Sequence, residues 1–352
     1  MTLRTVQQQA GAVFEAEQGI PSHYGDAAGA YQAALEAVVL VDRSDEGRIL
    51  LTGADRLAIL HRMSTNAVEG LAPGSGQATV LTTPVGRIID RVKVHNLASD
   101  QTLVRTSSGR GALMVDYLRQ NIFFRDDMQV ADVSATTAQL MLYGPQAVAL
   151  LETIFPGVEP LPLHHVLAAE FAGGPLWIVA ADSVGVPGFA LVIEQVRVHE
   201  LWQMLIAQGQ SFGLQLAGLQ TVETLRIQAG VPGPVGELTP DIIPLEAGLW
   251  PDVSFSKGCY TGQEIIARME SRGQLAKVLV SVNLIGPAAV GTPWFIDGKR
   301  QGQLTSIVQH PSGAWLGLGF VKSAAAGVGT ELLLDGGASA IISAVAERVP
   351  VG

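Results

Sequence analysis

The stretch LLTGADRLAIL, Leu50–Leu60, returns later in the chain as MLYGPQAVALL, Met141–Leu151. Each copy is a short apolar run, a glycine, and then apolar residues at helical spacing. One strand–glycine–helix corner used twice predicts two α+β units of related plan.

Working outward from the first copy, RILLTG (48–53) reads as a strand and ADRLAILHRMS (54–64) as a helix carrying Leu57, Leu60 and Met63 on one side. The strands QATVLTT (77–83), GRIIDRVKVHNL (86–97) and TLVRTS (102–107) follow, then the helix RGALMVDYLRQNI (110–122) and the strand MQVADVS (128–134). The order is a split βαβ arrangement. Alternation in the second of these strands puts Ile88, Val92 and Val94 on one face, with Asp90 on that same side. Around the second copy lie the strands HHVLAAEFA (164–172), LWIVAAD (176–182) and FALVIE (189–194), and a helix over 196–209. His164 and His165 are adjacent on the first of these strands and point to opposite faces. A further helix is predicted over 27–37.

From Leu275 onward every segment is a short strand, and Asp297-Gly298 marks a two-residue hairpin turn. A small barrel or sandwich of about 75 residues is expected there. Between Gly209 and Leu275 the chain holds one helix, QTVETLRIQAG (220–230), and a long irregular run. Ile242, Ile243, Leu245, Leu249, Trp250 and Phe255 make that run too apolar for disorder, so it reads as an ordered, functional loop.

Composition sets outer limits. Of the 352 residues, 48% are hydrophobic and 15% charged, enough to bury the cores of two or three domains. A net charge of −10 argues against nucleic acid and anionic membrane as partners. A single cysteine forms no internal disulfide, so no oxidising compartment is implied. The polar N-terminus lacks the apolar core of a signal peptide, and no apolar run approaches the ~20 residues of a membrane span. A cytoplasmic protein is expected.

That one cysteine sits in SFSKGCYTGQEIIARMESRG, Ser254–Gly273. Thr261 and Glu264 form a capping-box pattern, with Tyr260 and Ile265 at hydrophobic-staple positions. The predicted helix starts just after Cys259, turns Ile265, Ile266 and Met269 inward, and ends at Gly273. A thiol beside a helix N-terminus, with Lys257 two residues upstream, is placed to favour thiolate. Gly258 and Gly262 leave the sulfur and neighbouring amides open. The alternative readings are structural. A lone cysteine also serves as a small buried apolar residue, and Lys257 as a solvated flank. His61, His164 and His165 are distant in sequence, so a Cys–His dyad does not follow. No metal site is expected, and Gly70, Gly74 and Gly76 have the wrong spacing for a phosphate loop.

KGCYTGQE (257–264) resembles the K-G-C-Y-x-G-Q-E signature of the YgfZ family of folate-binding iron–sulfur-cluster maturation proteins. Residues 23–90, LYGPQA (142–147), GVPGFALVI (185–193) and LRIQAGVP (225–232) resemble the wider superfamily that includes the glycine-cleavage T-protein, an aminomethyltransferase. The resemblance implies an α+β fold: a three-domain cloverleaf of two ferredoxin-like α+β domains and a C-terminal β-barrel around a central folate pocket. By that analogy residues 1–46 plus 135–270 form a discontinuous folate-binding domain, 47–134 an inserted domain, and 271–352 the barrel. The implied cofactor is tetrahydrofolate or a one-carbon derivative. The implied role is assembly or repair of iron–sulfur clusters in client enzymes, with those clients or assembly proteins as partners. The alternatives are a folate-dependent aminomethyl- or methyltransferase, and a scaffold with a vestigial pocket.

The resemblance places Asp90, in Gly86-Arg87-Ile88-Ile89-Asp90-Arg91, at the T-protein's folate-activating aspartate, with Arg91 where a second acid stands. Gln228, in Arg226-Ile227-Gln228-Ala229-Gly230, falls at a pterin-gripping glutamate. Its amide offers both donors and acceptors to a pterin edge, without charge assistance. The candidate catalytic set is therefore Cys259, Lys257 and Asp90, and the candidate cofactor ligands are Asp90, Gln228, Arg226, Tyr260, Gln263 and Glu264. Each has a plainer alternative: Asp90 paired with Arg87 or Arg91, Gln228 serving a helix end, Glu264 a cap, and Tyr260 a staple. Arg268 and Arg272 read as solvated or ion-paired.

Overall fold

The computed structural model describes residues 2–15, 19–98, 100–335 and 337–346. The chain opens with α1 (Leu3–Gln9), β1 (Val13–Phe14), β2 (Pro21–His23), α2 (Ala27–Glu36) and β3 (Val38–Asp42). Next come β4 (Glu46–Thr52), α3 (Arg56–Met63), β5 (Gly76–Thr82), β6 (Ile88–Ala98), β7 (Gln101–Ser108), α4 (Gly111–Gln120) and β8 (Gln129–Asp132). The second α+β set is β9 (Thr137–Tyr143), α5 (Ala147–Ile154), β10 (Val166–Phe171), β11 (Gly174–Ala181), β12 (Gly188–Glu194), α6 (Val198–Gly209) and β13 (Leu214–Leu216). The chain finishes with α7 (Leu219–Gln228), α8 (Gln263–Arg272) and the strands β14 (Lys277–Ile285), β15 (Pro293–Ile296), β16 (Lys299–Gln309), β17 (Trp315–Lys322), β18 (Glu331–Leu334) and β19 (Ser339–Val345).

Two compact units result. The first comprises Met1–Leu60, Val68–Ala78 and Val92–Val222, the second His61–Ala67, Thr79–Arg91 and Glu223–Gly352. A six-stranded sheet runs in the order β10-β11-β12-β9-β3-β13, a five-stranded sheet in the order β5-β6-β7-β4-β8, and β14-β17-β16-β15-β18-β19 closes into a barrel. The C-terminal all-β segment is thus the barrel of the two expected forms.

Both copies of the repeated corner are built as the sequence predicts. Gly53, between β4 and α3, has φ +102°, and Gly144, between β9 and α5, has φ +127°. A Cβ at Gly53 would lie 2.3 Å from the Asp127 carbonyl, and one at Gly144 would lie 2.4 Å from the Ala37 carbonyl. Both sites therefore need glycine for backbone angle and for space. Asp297-Gly298 joins β15 to β16 with φ of 48° and 71°, the left-handed pair that a type I′ hairpin requires.

The structure also departs from the sequence reading, which leaves α1, β1, β2, β3 and β13 unread. β3 (VVLVD) is buried along its whole length, so it shows no alternation to mark it as a strand. His164 lies outside the strand: β10 starts at Val166, and His164 itself turns with φ 65°. Its carbonyl is held by the ring of His95, with Nδ1 2.9 Å away.

In the first unit, α1, α5 and α6 bury their apolar faces on the six-stranded sheet through Val6, Leu150, Leu151, Leu201 and Trp202. In the second unit the barrel strands pack on both sides. Val280, Val282, Trp294 and Leu304 fill the interior, while Leu279, Leu318 and Phe320 join an outer cluster with Val80, Ile88, Ile227, Ile242 and Leu249.

Candidate functional site

The candidate catalytic and cofactor-binding residues all fall in the second unit. β6 alternates as predicted: Ile88 is fully buried, Asp90 is 1% exposed, and Val92 and Val94 are fully buried on the same face. The two neighbouring arginines reach toward the 241–252 segment. Arg87 Nη1 donates to the Asp241 carbonyl at 2.8 Å and lies 3.6 Å from the Glu246 carboxylate. Arg91 grips Asp252, with Nε 2.5 Å from Oδ2 and Nη2 3.3 Å from Oδ1. Arg91, which replaces the second acid of the T-protein pattern, thus fastens β6 to the 3₁₀ turn Trp250–Asp252. Burial pushes the Glu246 carboxyl above its usual range, against the pull of Lys277 and Arg87.

That turn leads into the cysteine loop, which is laced to residues 61–67. Thr65 Oγ1 donates to the Asp252 carbonyl at 2.6 Å, Asn66 Nδ2 to the Pro251 carbonyl at 3.0 Å, and the Ser254 amide to the Thr65 carbonyl at 2.9 Å. The strongest tie is Lys257. Its ammonium donates to the carbonyls of His61 (2.5 Å), Ser64 (2.7 Å) and Asn66 (2.8 Å), and lies 5.1 Å from the Tyr260 ring centroid. The ammonium thus gathers three carbonyls at the end of α3 and just beyond it. The sequence reading gave this charge to the sulfur; the geometry spends it on backbone.

α8 begins later than the capping box implies. Its N-cap is Gly262, at φ +85°, with no side-chain cap bond, so Thr261 does not cap the helix. The cause is a tertiary contact. The Thr261 carbonyl accepts from Thr82 Oγ1 at 2.6 Å, and its amide donates to the Arg62 carbonyl at 3.3 Å. Gly262 presses on the β5–β6 turn, where a Cβ would meet the Thr83 carbonyl at 2.7 Å and Thr82 Oγ1 at 2.8 Å. Gly273 ends the helix in the left-handed conformation, as expected. Ile266 is fully buried, with Tyr260 and Trp250 in its cluster and Met269 partly buried against it. Burial pushes the Tyr260 phenol up to about 12, which keeps its proton on at neutral pH. Cys259 is an exposed free thiol. Gln263 is half-buried and Glu264 exposed in the first turn of α8.

Arg226 is enclosed. Its Nε and Nη2 donate to Glu223, Nη1 to Glu237 (3.2 Å) and the Val231 carbonyl (3.0 Å), and Nη2 also to Ser306 (3.1 Å). All five guanidinium N–H groups have partners, so none remains for a ligand without an exchange. Gln228, the last residue of α7, is exposed. Ile227 beside it shares the outer cluster with Ile88, so the segments carrying Gln228 and Asp90 are packed in one core. Residues the sequence reading passed over, Thr65, Asn66, Asp252 and Glu237, supply much of this bracing. Among the described residues no group of three His, Cys, Asp or Glu side chains is placed to hold a metal ion, and no helix is long and apolar enough to cross a membrane.

Comparison with known proteins gives consistent relatives. The sequence profile of the GCVT N-terminal domain matches residues 3–257. A putative chloroplastic transferase of Arabidopsis thaliana is 31% identical over 347 residues, covering 97% of this chain and 78% of that one. An aminomethyltransferase of Shouchella clausii is 30% identical over 311 residues, 87% of this chain and 84% of its own. The crystal structure of glycine cleavage system aminomethyltransferase T from Bartonella henselae matches with a TM-score of 0.87 at 23% identity, across 98% of this chain and 96% of that one. The chain therefore has that protein's multi-domain α+β fold.

Proposed function

The chain belongs to the GCVT N-terminal domain family, and from that premise we propose that it is a tetrahydrofolate-dependent transferase of one-carbon units, aminomethyl groups first among them, working in the cytoplasm. The observation that carries this is Asp90, a carboxylate 1% exposed on a mostly apolar strand face with Ile88, Val92 and Val94. A buried carboxylate acts with little screening, so it can hold or accept a proton at a reacting nitrogen. The site fits the cofactor in donor chemistry. Gln228 stands exposed at the end of α7, with an amide able to pair with a pterin edge. Tetrahydrofolate, when bound, supplies the nitrogens that carry the one-carbon unit. Arg91, held on Asp252, keeps the start of β6 in place, and Arg226, closed on Glu223 and Glu237, anchors α7.

A second reading has its own observation. Cys259 is exposed on a loop that Lys257 ties down, which suits a thiol presented to an iron–sulfur client, the role of the YgfZ family. Two variants separate the readings. With an aminomethyl donor and tetrahydrofolate, Asp90→Asn is expected to slow transfer by about 10²–10⁴-fold, while Cys259→Ala leaves it unchanged. Retained turnover in Asp90→Asn, with loss of iron–sulfur enzyme activity in cells carrying Cys259→Ala, would reverse the assignment. The loss of folate binding from the wild type would overturn both.

A further inference from the structure

On the second unit, a cavity of about 780 Å³ opens between the turn at Gly236–Ile242 and the barrel strands β16 and β17. Neither Asp90 nor Cys259 lines it. Three cations do, Lys277, Arg300 and Lys322, against the single carboxylate of Asp241, in a chain whose formal net charge is −10. A cationic concavity on an acidic protein concentrates anions locally.

The hydrogen-bond acceptors of these cations are uncharged. Lys277 Nζ donates to the Asp241 carbonyl at 3.1 Å and lies 5.4 Å from the Phe320 ring centroid. Lys322 Nζ donates to the Arg300 carbonyl at 3.0 Å, and Arg300 Nη2 to Gln303 Oε1 at 2.8 Å. An ammonium has three N–H groups and a guanidinium five, so each side chain is oriented by one bond and keeps donors to spare. Arg300 and Lys322, which among the described residues hold no carboxylate, and Lys277, whose charge also acts on Glu246, form a receptor for negative charge at more than one point. The ring of Phe320 offers an apolar surface beside them. The volume is that of a small-molecule site.

We propose that this cavity binds a small polyanion, a molecule carrying two or more carboxylate or phosphate groups on a compact frame. The site is independent of the transferase reading. Isothermal titration calorimetry on the full chain at low ionic strength, with citrate and with pyrophosphate as probes, tests it. One-to-one binding of at least one probe is expected, and the tighter of the two identifies carboxylate or phosphate as the natural group. Arg300→Gln/Lys322→Gln is expected to weaken binding at least tenfold. Gln303→Glu, which gives Arg300 an internal carboxylate, is expected to weaken it as well and keeps both cations. Arg125→Gln, an exposed arginine of the first unit, is expected to bind as the wild type does. Absence of binding by both probes, undiminished binding by the double variant and by Gln303→Glu, or an equal loss in Arg125→Gln would each overturn the proposal.

Discussion

Replacing Lys257 by methionine keeps the aliphatic stem and removes the ammonium. The three carbonyls of His61, Ser64 and Asn66 then lose their shared donor. A hydrogen bond from a charged donor contributes about 1.5–3 kcal/mol, so three would sum to about 4.5–9 kcal/mol if the site were dry. Lys257 is half-buried, and water reaching the carbonyls recovers part of that, which leaves an expected loss of about 2–4 kcal/mol. Urea unfolding followed by the fluorescence of Trp250, which lies in the same unit, reads the change. The rate of Cys259 alkylation by iodoacetamide at neutral pH, under native conditions, reads the competing role. The expected outcome is a large loss of stability with an alkylation rate within about threefold of wild type, since the ammonium serves backbone carbonyls. Stability unchanged within about 0.5 kcal/mol, together with a steep fall in alkylation, would show that the charge serves the sulfur and would refute the reasoning.

Acid should destabilise the first unit through His95. Its ring is fully buried, with Nδ1 on the His164 carbonyl and Nε2 without a partner. Burial, aided by Arg105, depresses its pKa to about 3. The unfolded chain takes up this proton near pH 6.5 and the folded chain only near 3, so stability falls as pH drops through that window; between pH 7 and 4.5 the loss from this group is about 2.5 kcal/mol. Unfolding free energies of wild type and His95→Gln at the two pH values check it, and an equal loss in both would contradict it. Gly262→Ala forces a Cβ to 2.7 Å from the Thr83 carbonyl at φ +85°, for an expected cost of at least about 2 kcal/mol. Gly258→Ala, where a Cβ meets nothing within 4 Å, should stay within about 0.5 kcal/mol of wild type in the same urea assay.

The fold was legible where its cause is local. The two strand–glycine–helix corners, the Asp297-Gly298 turn and the alternation that buries Ile88 with Asp90 all follow from backbone angle or side-chain period within a few residues. β3 escaped because burial on both faces erases the period that reveals a strand. The start of α8 was misread for the opposite reason: Thr261 and Glu264 have the right local pattern, but the contact with Thr82 outweighs it.

By itself, then, the sequence determined most of the strands and helices from Glu46 onward, the all-β character of the C-terminal end and the likeness to the glycine-cleavage T-protein superfamily, because each rests on short-range stereochemistry or on a run of residues read directly. Only the tertiary structure decided what the charged side chains do. Lys257 reaches carbonyls 191 to 196 positions away, and Arg91 reaches a carboxylate 161 positions away. A long flexible cation takes whichever acceptors folding brings within about 3 Å, and that choice is written in the packing of distant segments rather than in its neighbours along the chain.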